Sequence, residues 1–348
     1  MRKVIAIALL CALLLTSLAA FSSCGGMKRY SHTDVTVFDT QTVILGYDKS
    51  EEEFQKKAEL IMERLTFYHE LYDIYYNYEG KNNLKTVNDN AGKFPVEVDG
   101  AIIDLLEYCI DMYELTDGKT NVAMGSVLEI WHRYRTEGIA DPERAALPKM
   151  KELQAAAEHC SIDDVVIDRE KKTVYLKDCE MSLDVGAVAK GYATQMVAEY
   201  IEEQGFSGFA LSVGGNVKCI GERADGKKWE IGVQNPDLSA ESAYFTKVYL
   251  TDQSLVTSGV YQRFYTVNGK EYHHIIDPDT LMPKREFASV SVITDHSGLA
   301  DALSTALFNM TLEEGEKLVE SLEGTVAVWV YENGEVRRAK GFEKMEKQ

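Results

Sequence analysis

Residues 209–220, Phe-Ala-Leu-Ser-Val-Gly-Gly-Asn-Val-Lys-Cys-Ile (FALSVGGNVKCI), mark the point from which the chain is predicted to be mostly β-strand. Apolar residues on both sides of the paired glycines predict two short strands, 209–213 and 217–220, joined at the glycines. Val213-Gly214-Gly215-Asn216 lacks the Gly-x-Gly-x-x-Gly spacing, so a Rossmann fingerprint is absent. The two glycines either form a plain turn or let another group approach the backbone closely.

Outward from this stretch, helices and strands are mixed without strict alternation. Further strands are predicted downstream at 229–233, 244–250, 260–266, 271–276, 288–293, 325–331 and 335–340, with helices at 298–310 and 313–322. Upstream we predict helices at 51–78, 99–115, 148–160 and 187–203, short strands at 165–167 and 173–176, a hairpin or long strand at 32–47, and a polar loop at 80–95. This order predicts one two-lobed α+β (mixed α/β) domain with antiparallel or mixed sheets and flanking helices, not a doubly wound sheet.

The composition excludes several classes of protein. The chain has 348 residues, with 37 Lys+Arg against 56 Asp+Glu and a formal net charge of −19. Hydrophobic residues make up 45% and charged residues 27%, a normal globular balance that excludes disorder of the whole chain. The strong acidity argues against nucleic acid as a partner, because binding to the phosphate backbone requires clustered Lys and Arg.

The N-terminus has the pattern of a targeting segment. Arg2 and Lys3 precede an apolar run, 4–20, that is short for a membrane span and is followed by small residues. The stretch 20–25 (AFSSCG) resembles a bacterial lipoprotein signal, although Phe21 replaces the usual Leu. This resemblance implies a signal peptide at 1–23, a lipidated Cys24 and a tether at 24–33, on the outer face of the cytoplasmic membrane or the periplasmic side. An ordinary secretory signal, or an uncleaved anchor with Cys24 free, are the alternatives.

The cysteines of the exported body do not indicate a metal site. Cys109, Cys160, Cys179 and Cys219 show no Cys-x-x-Cys or His-rich spacing, so zinc is not expected. The compartment permits two disulfides, but the sequence cannot pair them, and a core of this length does not need them. Buried free thiols are the expected state.

Two segments have residues suited to a phosphate-bearing ligand. In 182–192 (SLDVGAVAKGY), a strand-like start runs into a helix with Asp184 as a plausible N-cap and Lys190 in the first turn, which suits a pyrophosphate. In 300–306 (ADALSTA), Asp301 and Thr305 lie one helical turn apart and provide hard oxygens that suit Mg²⁺ together with substrate phosphate. Taken singly, Lys190 could equally be a solvated surface charge, and Asp301 an ordinary helix-terminal acid.

A third segment places hydroxyl groups near an imidazole. Thr257-Ser258-Gly259 precedes Tyr272-His-His274-Ile-Ile-Asp-Pro278, and two strands are predicted to bring both runs to one edge. A single strand histidine is usually structural, so this segment alone leaves the role of His274 open.

Together and in this order, the motifs resemble the ApbE family of FAD:protein FMN transferases, exported lipoprotein enzymes that attach FMN to Thr or Ser of a target flavoprotein. The matching pattern is D-x-x-A-x-x-K-G-Y, GG-N/D, TSG-x-Y, HHIIDP-x-T-x-x-P and AD-x-x-x-T, with a further similarity at 118–131. The resemblance covers about residues 34–332 and implies a transferase domain at 34–342. The implied partner is a flavoprotein subunit of a membrane redox complex that carries a Ser/Thr acceptor motif.

The resemblance also implies roles for particular residues. Mg²⁺ would be held by the Ala187 carbonyl, Asp301 and Thr305, with Ser304 as a further oxygen. His274 would assist proton transfer, and Lys190 would add a second positive group at the pyrophosphate. The positions that match FAD contacts are Phe38, Thr120, Asn121, Val122, Asp184, Lys190 and Ile275.

The chain departs from the family pattern at two places. Phe38-Asp39-Thr40 stands where Met-Gly-Thr is frequent, and Thr280-Leu281-Met282-Pro283 stands where many members have Thr-Gly-x-Pro. The implied reaction is Mg²⁺-dependent attack of an acceptor hydroxyl on the FMN-side phosphorus of FAD, with release of AMP. The alternatives are hydrolysis of FAD to FMN and AMP, a non-catalytic FAD-binding lipoprotein, and a generic solute-binding lipoprotein.

Overall fold

The computed structural model describes residues 26–347. The helices of this part are α1 (Glu51–Tyr72), α2 (Leu84–Asp89), α3 (Gly100–Leu115), α4 (Gly125–Ala140), α5 (Met150–Ala157), α6 (Ala189–Glu203), α7 (Ser297–Asn309) and α8 (Leu312–Ser321). The strands are β1 (Lys28–Asp34), β2 (Thr42–Asp48), β3 (Val96–Glu97), β4 (Val165–Asp168), β5 (Thr173–Leu176), β6 (Phe209–Val213), β7 (Asn216–Ile220), β8 (Trp229–Gln234), β9 (Tyr244–Leu250), β10 (Ser254–Gly259), β11 (Phe264–Val267), β12 (Lys270–His273), β13 (Phe287–Thr294), β14 (Val326–Tyr331) and β15 (Val336–Arg338). The predicted signal peptide and Cys24 lie outside the described residues.

One large antiparallel sheet organises the molecule. Its strand order is β1-β2-β6-β7-β10-β13-β14-β15, so the two strands of FALSVGGNVKCI lie inside it. The glycine pair connects β6 to β7, with Val213 opposite Asn216. Both glycines have positive φ, 60° for Gly214 and 92° for Gly215, which explains why residues without a Cβ stand there.

The two faces of the large sheet are covered differently. Helices α1 and α6 pack against β2 and β6, and α7 and α8 pack against β10, β13 and β14. The antiparallel ribbon β8–β9 covers the opposite face through a separate apolar cluster. A second lobe, built from α2, α3 and the sheet β3-β5-β4, has its own core, which continues into the start of α6. The predicted α+β class is confirmed, and the sheets are antiparallel.

Several predicted boundaries were wrong at the N-terminal end. Residues 28–34, of which 28–33 were assigned to the tether, form the edge strand β1, which pairs with β2 along its full length. Helix α1 ends at Tyr72 and not at residue 78, because the Asp73 carboxylate accepts hydrogen bonds from the backbone N–H groups of Tyr75 and Tyr76. The polar loop at 80–95 contains the short helix α2, which begins with an Asn83 capping box.

Two other elements were missed. Helix α4 and strand β10 were not predicted, and the strand predicted at 260–266 corresponds only to β11, which begins at Phe264. In β10, Thr257 lies opposite Ser291 and their hydroxyls are 2.8 Å apart. Small polar side chains that pair with each other across strands do not produce an apolar period, which explains the omission.

The four cysteines of the described part are free thiols, and Cys109 and Cys219 are buried as expected, whereas Cys160 is half-buried and Cys179 is exposed. Among residues 26–347 no helix combines the length and the apolar character that crossing a bilayer requires.

Candidate active site

The centre of the site is a close contact between α6 and α7. The backbone N–H of Gly191 donates a 2.8 Å hydrogen bond to Asp301 Oδ2. A Cβ at Gly191 would lie 2.5 Å from Asp301 Cβ and 2.5 Å from the Ser297 carbonyl oxygen, so only glycine permits this approach. The Lys-Gly-Tyr sequence of the first motif thus places the backbone of α6 directly against Asp301 of the AD-x-x-x-T motif.

Asn216, at the start of β7, supplies the second donor. Its side-chain amide donates a 2.8 Å hydrogen bond to the same Asp301 Oδ2, and both residues are buried. The Lys190 ammonium lies 4.0 Å from this oxygen. Burial raises the pKa of the Asp301 carboxyl, and the Lys190 charge and the two hydrogen bonds offset part of that rise. The two hydrogen bonds therefore hold the Asp301 carboxylate in place, but its negative charge is only partly compensated.

A row of hydroxyl groups extends the site along α7. Ser304 Oγ donates to the Asp301 carbonyl at 2.9 Å and lies 2.8 Å from Ser258 Oγ on β10. Ser258 Oγ is also 3.4 Å from Thr305 Oγ1. Of the predicted pair Asp301 and Thr305, Thr305 is therefore in contact with the hydroxyl of Ser258, on the strand that faces α7.

The donor set is compatible with Mg²⁺. Both donors to Asp301 contact Oδ2, and no donor among residues 26–347 reaches Oδ1, which leaves that oxygen for a cation. No group of three or more His, Cys, Asp or Glu able to hold a metal exists among these residues. One carboxylate with neutral oxygens suits Mg²⁺, which is usually held by one or two carboxylates with waters and substrate phosphate. It does not suit zinc.

The turn before α6 differs from the prediction. Helix α6 begins at Ala189 after Val188, which makes no side-chain cap, so Asp184 is not its N-cap. Asp184 instead accepts from the backbone N–H of Gly186 at 2.9 Å, in a local turn. Lys190 Nζ donates to the Gly186 carbonyl at 3.2 Å, so the turn that contains Ala187 adjoins Asp301 through Lys190.

The two adjacent histidines have different environments. His273 is buried, and both its ring nitrogens are engaged, Nε2 with the Lys284 carbonyl at 2.7 Å and Nδ1 with the Ile275 N–H at 3.2 Å. His274 makes one ring hydrogen bond, from Nδ1 to the Arg263 carbonyl at 3.2 Å. Because a carbonyl only accepts, this bond places the proton on Nδ1 and leaves the Nε2 lone pair available as a base.

The charge state of His274 follows from its surroundings. Burial and, to a smaller extent, the charges of Arg263 and Arg135 together lower the pKa of His274 to about 3. The ring is therefore neutral at physiological pH. The neighbouring Ile275 packs in the same apolar cluster as the inner face of α7, which holds this strand end against that helix.

The Phe38 loop lies beside the glycine turn. Phe38 and Asp39 have positive φ values of 54° and 49°, and the Phe38 N–H donates to His69 Nδ1 at 3.2 Å. A Cβ at Gly214 would lie 2.7 Å from Thr40 Oγ1, so this loop and the glycine pair are in contact. The first departure from the family pattern therefore occupies a strained loop that adjoins the β6–β7 turn.

The other predicted flavin positions are mostly in the core. Thr120 Oγ1 donates to the Ala302 carbonyl of α7 at 2.8 Å, and Val122 accepts a backbone hydrogen bond from Asp184 at 2.8 Å. Val122 and Ile275 are buried, and Asn121 bonds to the Cys160 carbonyl. These contacts join the 118–124 segment to α7 and to Asp184. Flavin contact at these residues remains a prediction.

The second departure from the family pattern, at Leu281, requires a left-handed backbone conformation. Leu281 has a φ of 59°, in the left-handed region that favours glycine, at the place where many relatives have Gly. Its side chain is buried and its carbonyl accepts from Trp131 Nε1 at 3.0 Å. Burial and this hydrogen bond offset the cost of the conformation.

Sequence reasoning quoted Asn216, Ser258 and Gly191 within motifs but gave them no role. All three contact Asp301, Ser304 or Thr305 in the fold. The Asn in GG-N and the Ser in TSG were the available signals, because polar side chains at strand ends beside glycines are often directed at a site.

Comparison with known proteins identifies the family. The family model described as the ApbE family matches residues 33–330. A Klebsiella pneumoniae protein named FAD:protein FMN transferase is 30% identical over 257 residues, covering 74% of this chain and 77% of its own. One of the same name from Treponema pallidum is 30% identical over 273 residues, covering 74% and 73%. The crystal structure of an ApbE protein from Thermotoga maritima superposes with a TM-score of 0.79 at 28% identity, covering 92% of this chain and all of its own.

The chain belongs to the ApbE family. The family match spans nearly all of the described residues.

Proposed function

We propose that this chain is an exported, lipid-anchored enzyme that transfers FMN from FAD to a Thr or Ser hydroxyl of a target flavoprotein, releases AMP and requires Mg²⁺. The observation that carries the proposal is the arrangement around Asp301. One buried carboxylate with an open oxygen and its adjoining hydroxyl groups lie on α7, Lys190 approaches this carboxylate from α6, and Ile275, the neighbour of His274, packs against α7.

The reaction is a phosphoryl transfer. The acceptor oxygen forms a bond to the phosphorus on the FMN side of FAD, and the bond from that phosphorus to the bridging oxygen breaks. AMP leaves with the bridging oxygen. His274 Nε2 takes the proton of the attacking hydroxyl, because it carries the free lone pair of a neutral ring.

The residues on α6 and α7 provide positioning and charge. Asp301, Thr305 and the Ala187 carbonyl would hold Mg²⁺, with Ser304 as a supporting oxygen. Bound there, Mg²⁺ supplies neutralisation of the phosphate oxygens that gain charge. Lys190, beside Asp301, holds a second positive charge near the pyrophosphate. Asn216 and Gly191 fix the orientation of the carboxylate.

The location and the partner rest on the sequence. Export and lipid anchoring on the outer face of the cytoplasmic membrane are supported by residues 1–24. This segment has charged residues, then an apolar run, then small residues, and ends at Cys24. Such an anchor would place the enzyme beside membrane redox complexes, whose flavoprotein subunits are the proposed acceptors. The acidity of the chain supports the absence of nucleic-acid binding.

The test mixes a chain that lacks residues 1–24 with FAD, Mg²⁺ and a candidate acceptor domain. The acceptor is then analysed by intact-mass spectrometry. A mass gain of one FMN that EDTA prevents would support both the transferase and its metal. Free FMN and AMP without a gain would indicate the hydrolase, for which water replaces the acceptor at the same residues. Intact FAD with several acceptors would contradict enzymatic function.

A further inference from the structure

The Phe38 loop has a backbone conformation that its own residues do not favour. The Thr40 N–H donates to the Val37 carbonyl at 3.3 Å, which closes a tight turn whose two central residues are Phe38 and Asp39. Both have positive φ, 54° and 49°, a combination for which turns mostly use Gly, Asn or Asp. For a side chain as bulky as Phe it is a genuine outlier. Such conformations persist only where the surrounding structure holds them, and they are frequent at ligand sites.

A side chain from a distant element holds this turn. His69, in the last turn of α1, accepts a hydrogen bond from the Phe38 N–H at Nδ1, over 3.2 Å. Its imidazole also packs edge-on against the Phe38 ring, with ring centroids 5.3 Å apart. Because a backbone N–H only donates, Nδ1 carries no proton, and the proton of the neutral ring is on Nε2.

The other ring nitrogen of His69 is fixed by two further residues. Nε2 lies 3.3 Å from the Tyr78 hydroxyl, which itself donates to Asp73 Oδ2 at 2.7 Å. Asp73 is buried, and its other oxygen accepts from two backbone N–H groups in the turn that ends α1. Each group in this series has one defined role as donor or acceptor, so the series fixes the orientation of the imidazole that holds Phe38.

The turn held by His69 adjoins the candidate active site. Thr40 contacts Gly214, because a Cβ at that glycine would lie 2.7 Å from Thr40 Oγ1. Two residues after Gly214, the Asn216 side chain donates to Asp301. The Phe38 ring is only half-buried. The turn therefore places a partly accessible aromatic ring beside the strand connection that carries Asn216.

We propose that His69 is a positioning residue for FAD, which holds the turn in the conformation in which the Phe38 ring packs against the flavin. The inference rests on the proposed function, because it concerns how the same site binds its substrate. A flavin is flat and aromatic, and an aromatic side chain offers it a stacking surface. In the family pattern glycine is frequent at the position of Asp39, where it permits positive φ without a steric cost. In this chain the hydrogen bond from Phe38 to His69 takes over that task.

Two substitutions separate the two contacts of the imidazole. His69→Asn places an amide oxygen near the position of Nδ1, so it keeps an acceptor for the Phe38 N–H and loses the contact with Tyr78. His69→Gln places its amide near the position of Nε2, so it keeps the contact with Tyr78 and loses the acceptor for Phe38. Both variants lose the ring and one hydrogen bond, so a purely structural role of His69 predicts similar effects of the two substitutions.

The measurements are a fluorescence titration of FAD into the full-length chain in detergent, steady-state FMN transfer to an acceptor domain, and the thermal midpoint. His69→Gln should raise the Kd and KM for FAD about ten-fold with kcat within about two-fold, because it removes binding and not chemistry. His69→Asn should keep the Kd within about two-fold of that of the unmodified chain. His32→Gln is the control, since the His32 ring contacts Gln55 from the edge strand β1, and its Kd should be unchanged.

A double substitution tests whether His69 acts through the Phe38 ring. In the Phe38→Ala background, His69→Gln should have little further effect on the Kd for FAD, because the ring that it positions is absent. Fully additive effects would overturn the inference. Equal affinities for FAD in the His69→Asn and His69→Gln variants would overturn it as well.

The inference and the proposed function fail in different ways. FMN transfer with the same FAD affinity in both His69 variants would leave the proposed function standing while this inference fails. FAD binding with the expected difference between the variants, but without transfer or hydrolysis, would contradict the proposed function and support this inference.

Discussion

The side-chain amide of Asn216 donates a 2.8 Å hydrogen bond to the carboxylate of Asp301, across 85 residues of chain. This bond links the first residue of β7 to the first turns of α7, and the Gly191 N–H joins the same oxygen from α6. One buried acid thus joins three elements while its second oxygen stays open. The predictions below test this arrangement and the histidine pair beside it.

Asp301→Asn is expected to lower the rate of FMN transfer by more than about 100-fold, because a neutral amide cannot hold a cation at the phosphate. The fold should persist, since the Asn oxygen can still accept from Gly191 and Asn216. Transfer rate and thermal midpoint are the measurements. Asp301→Ala should instead also lose stability, about 1–3 kcal/mol per orphaned buried donor. An undiminished rate in the Asn variant would remove Asp301 from the site.

Gly191→Ala is expected to destabilise the protein by about 1–3 kcal/mol, because its Cβ would lie 2.5 Å from Asp301 Cβ and the Ser297 carbonyl. The shift of α6 from α7 should also lower the transfer rate. Gly100→Ala is the matched control: it stands at the start of α3 with no atom within 4 Å of the added Cβ. The control should be neutral or stabilising, and equal effects in both variants would contradict the close contact. Urea unfolding measures both.

His274→Gln and His273→Gln should separate catalysis from stability. His274→Gln should lower kcat by about 10²–10⁴-fold with little change in stability, because it removes the free Nε2 base. His273→Gln should mainly destabilise, because Gln cannot keep both contacts, with the Lys284 carbonyl and the Ile275 N–H. Transfer kinetics and unfolding midpoints distinguish the two. The reverse result would assign the base to His273.

The pH profile should show the lowered pKa of His274. The neutral ring is the active form, so the acid limb of kcat/KM for FAD should lie far below pH 6.5, towards about pH 3. Arg135→Gln removes a positive charge that disfavours protonation, so the limb should move to higher pH. Rates measured between pH 4 and pH 8 test this. A limb near 6.5 in the unmodified enzyme would contradict a neutral, buried His274.

Stability should depend on pH through His273. Burial lowers the pKa of His273 to about 4, below its unfolded value near 6.5. A depressed pKa means that the unfolded chain binds the proton more tightly. The stabilisation is therefore present above pH 6.5 and is lost as pH falls towards 4, at up to about 1.4 kcal/mol per pH unit. Urea unfolding at several pH values should show this slope, to which His274, with a pKa lowered to about 3, adds a similar contribution. His273→Gln should therefore reduce the slope without abolishing it.

Much of the architecture was predictable because it follows local periodicity. Helices α3, α6, α7 and α8 and strands β4 to β9 were placed within a few residues, since apolar spacing and caps such as Asp99 are visible in short windows. Helix α2 and strand β10 were missed because their residues are polar. Their structure depends on a capping box and on hydroxyl pairs between strands, and neither produces an apolar period.

The candidate site was predictable only in part. Motif chemistry pointed to Asp301, Thr305, Lys190 and His274. The roles of Asn216 and Ser258 were not predicted, and Asp184 was wrongly expected to cap α6. Cap geometry depends on the residue at which the helix actually begins, and helix boundaries are the least certain feature of a sequence pattern.

By itself, the sequence determined the α+β class, the family and the chemistry of the site, because periodicity, turn residues and motif order are properties of short stretches. Only the tertiary structure decided which histidine has a free nitrogen and which oxygen of Asp301 stays open. Those properties belong to pairs of residues far apart in the chain. The packing of α6, α7 and the large sheet, not the local sequence, sets the distance between them.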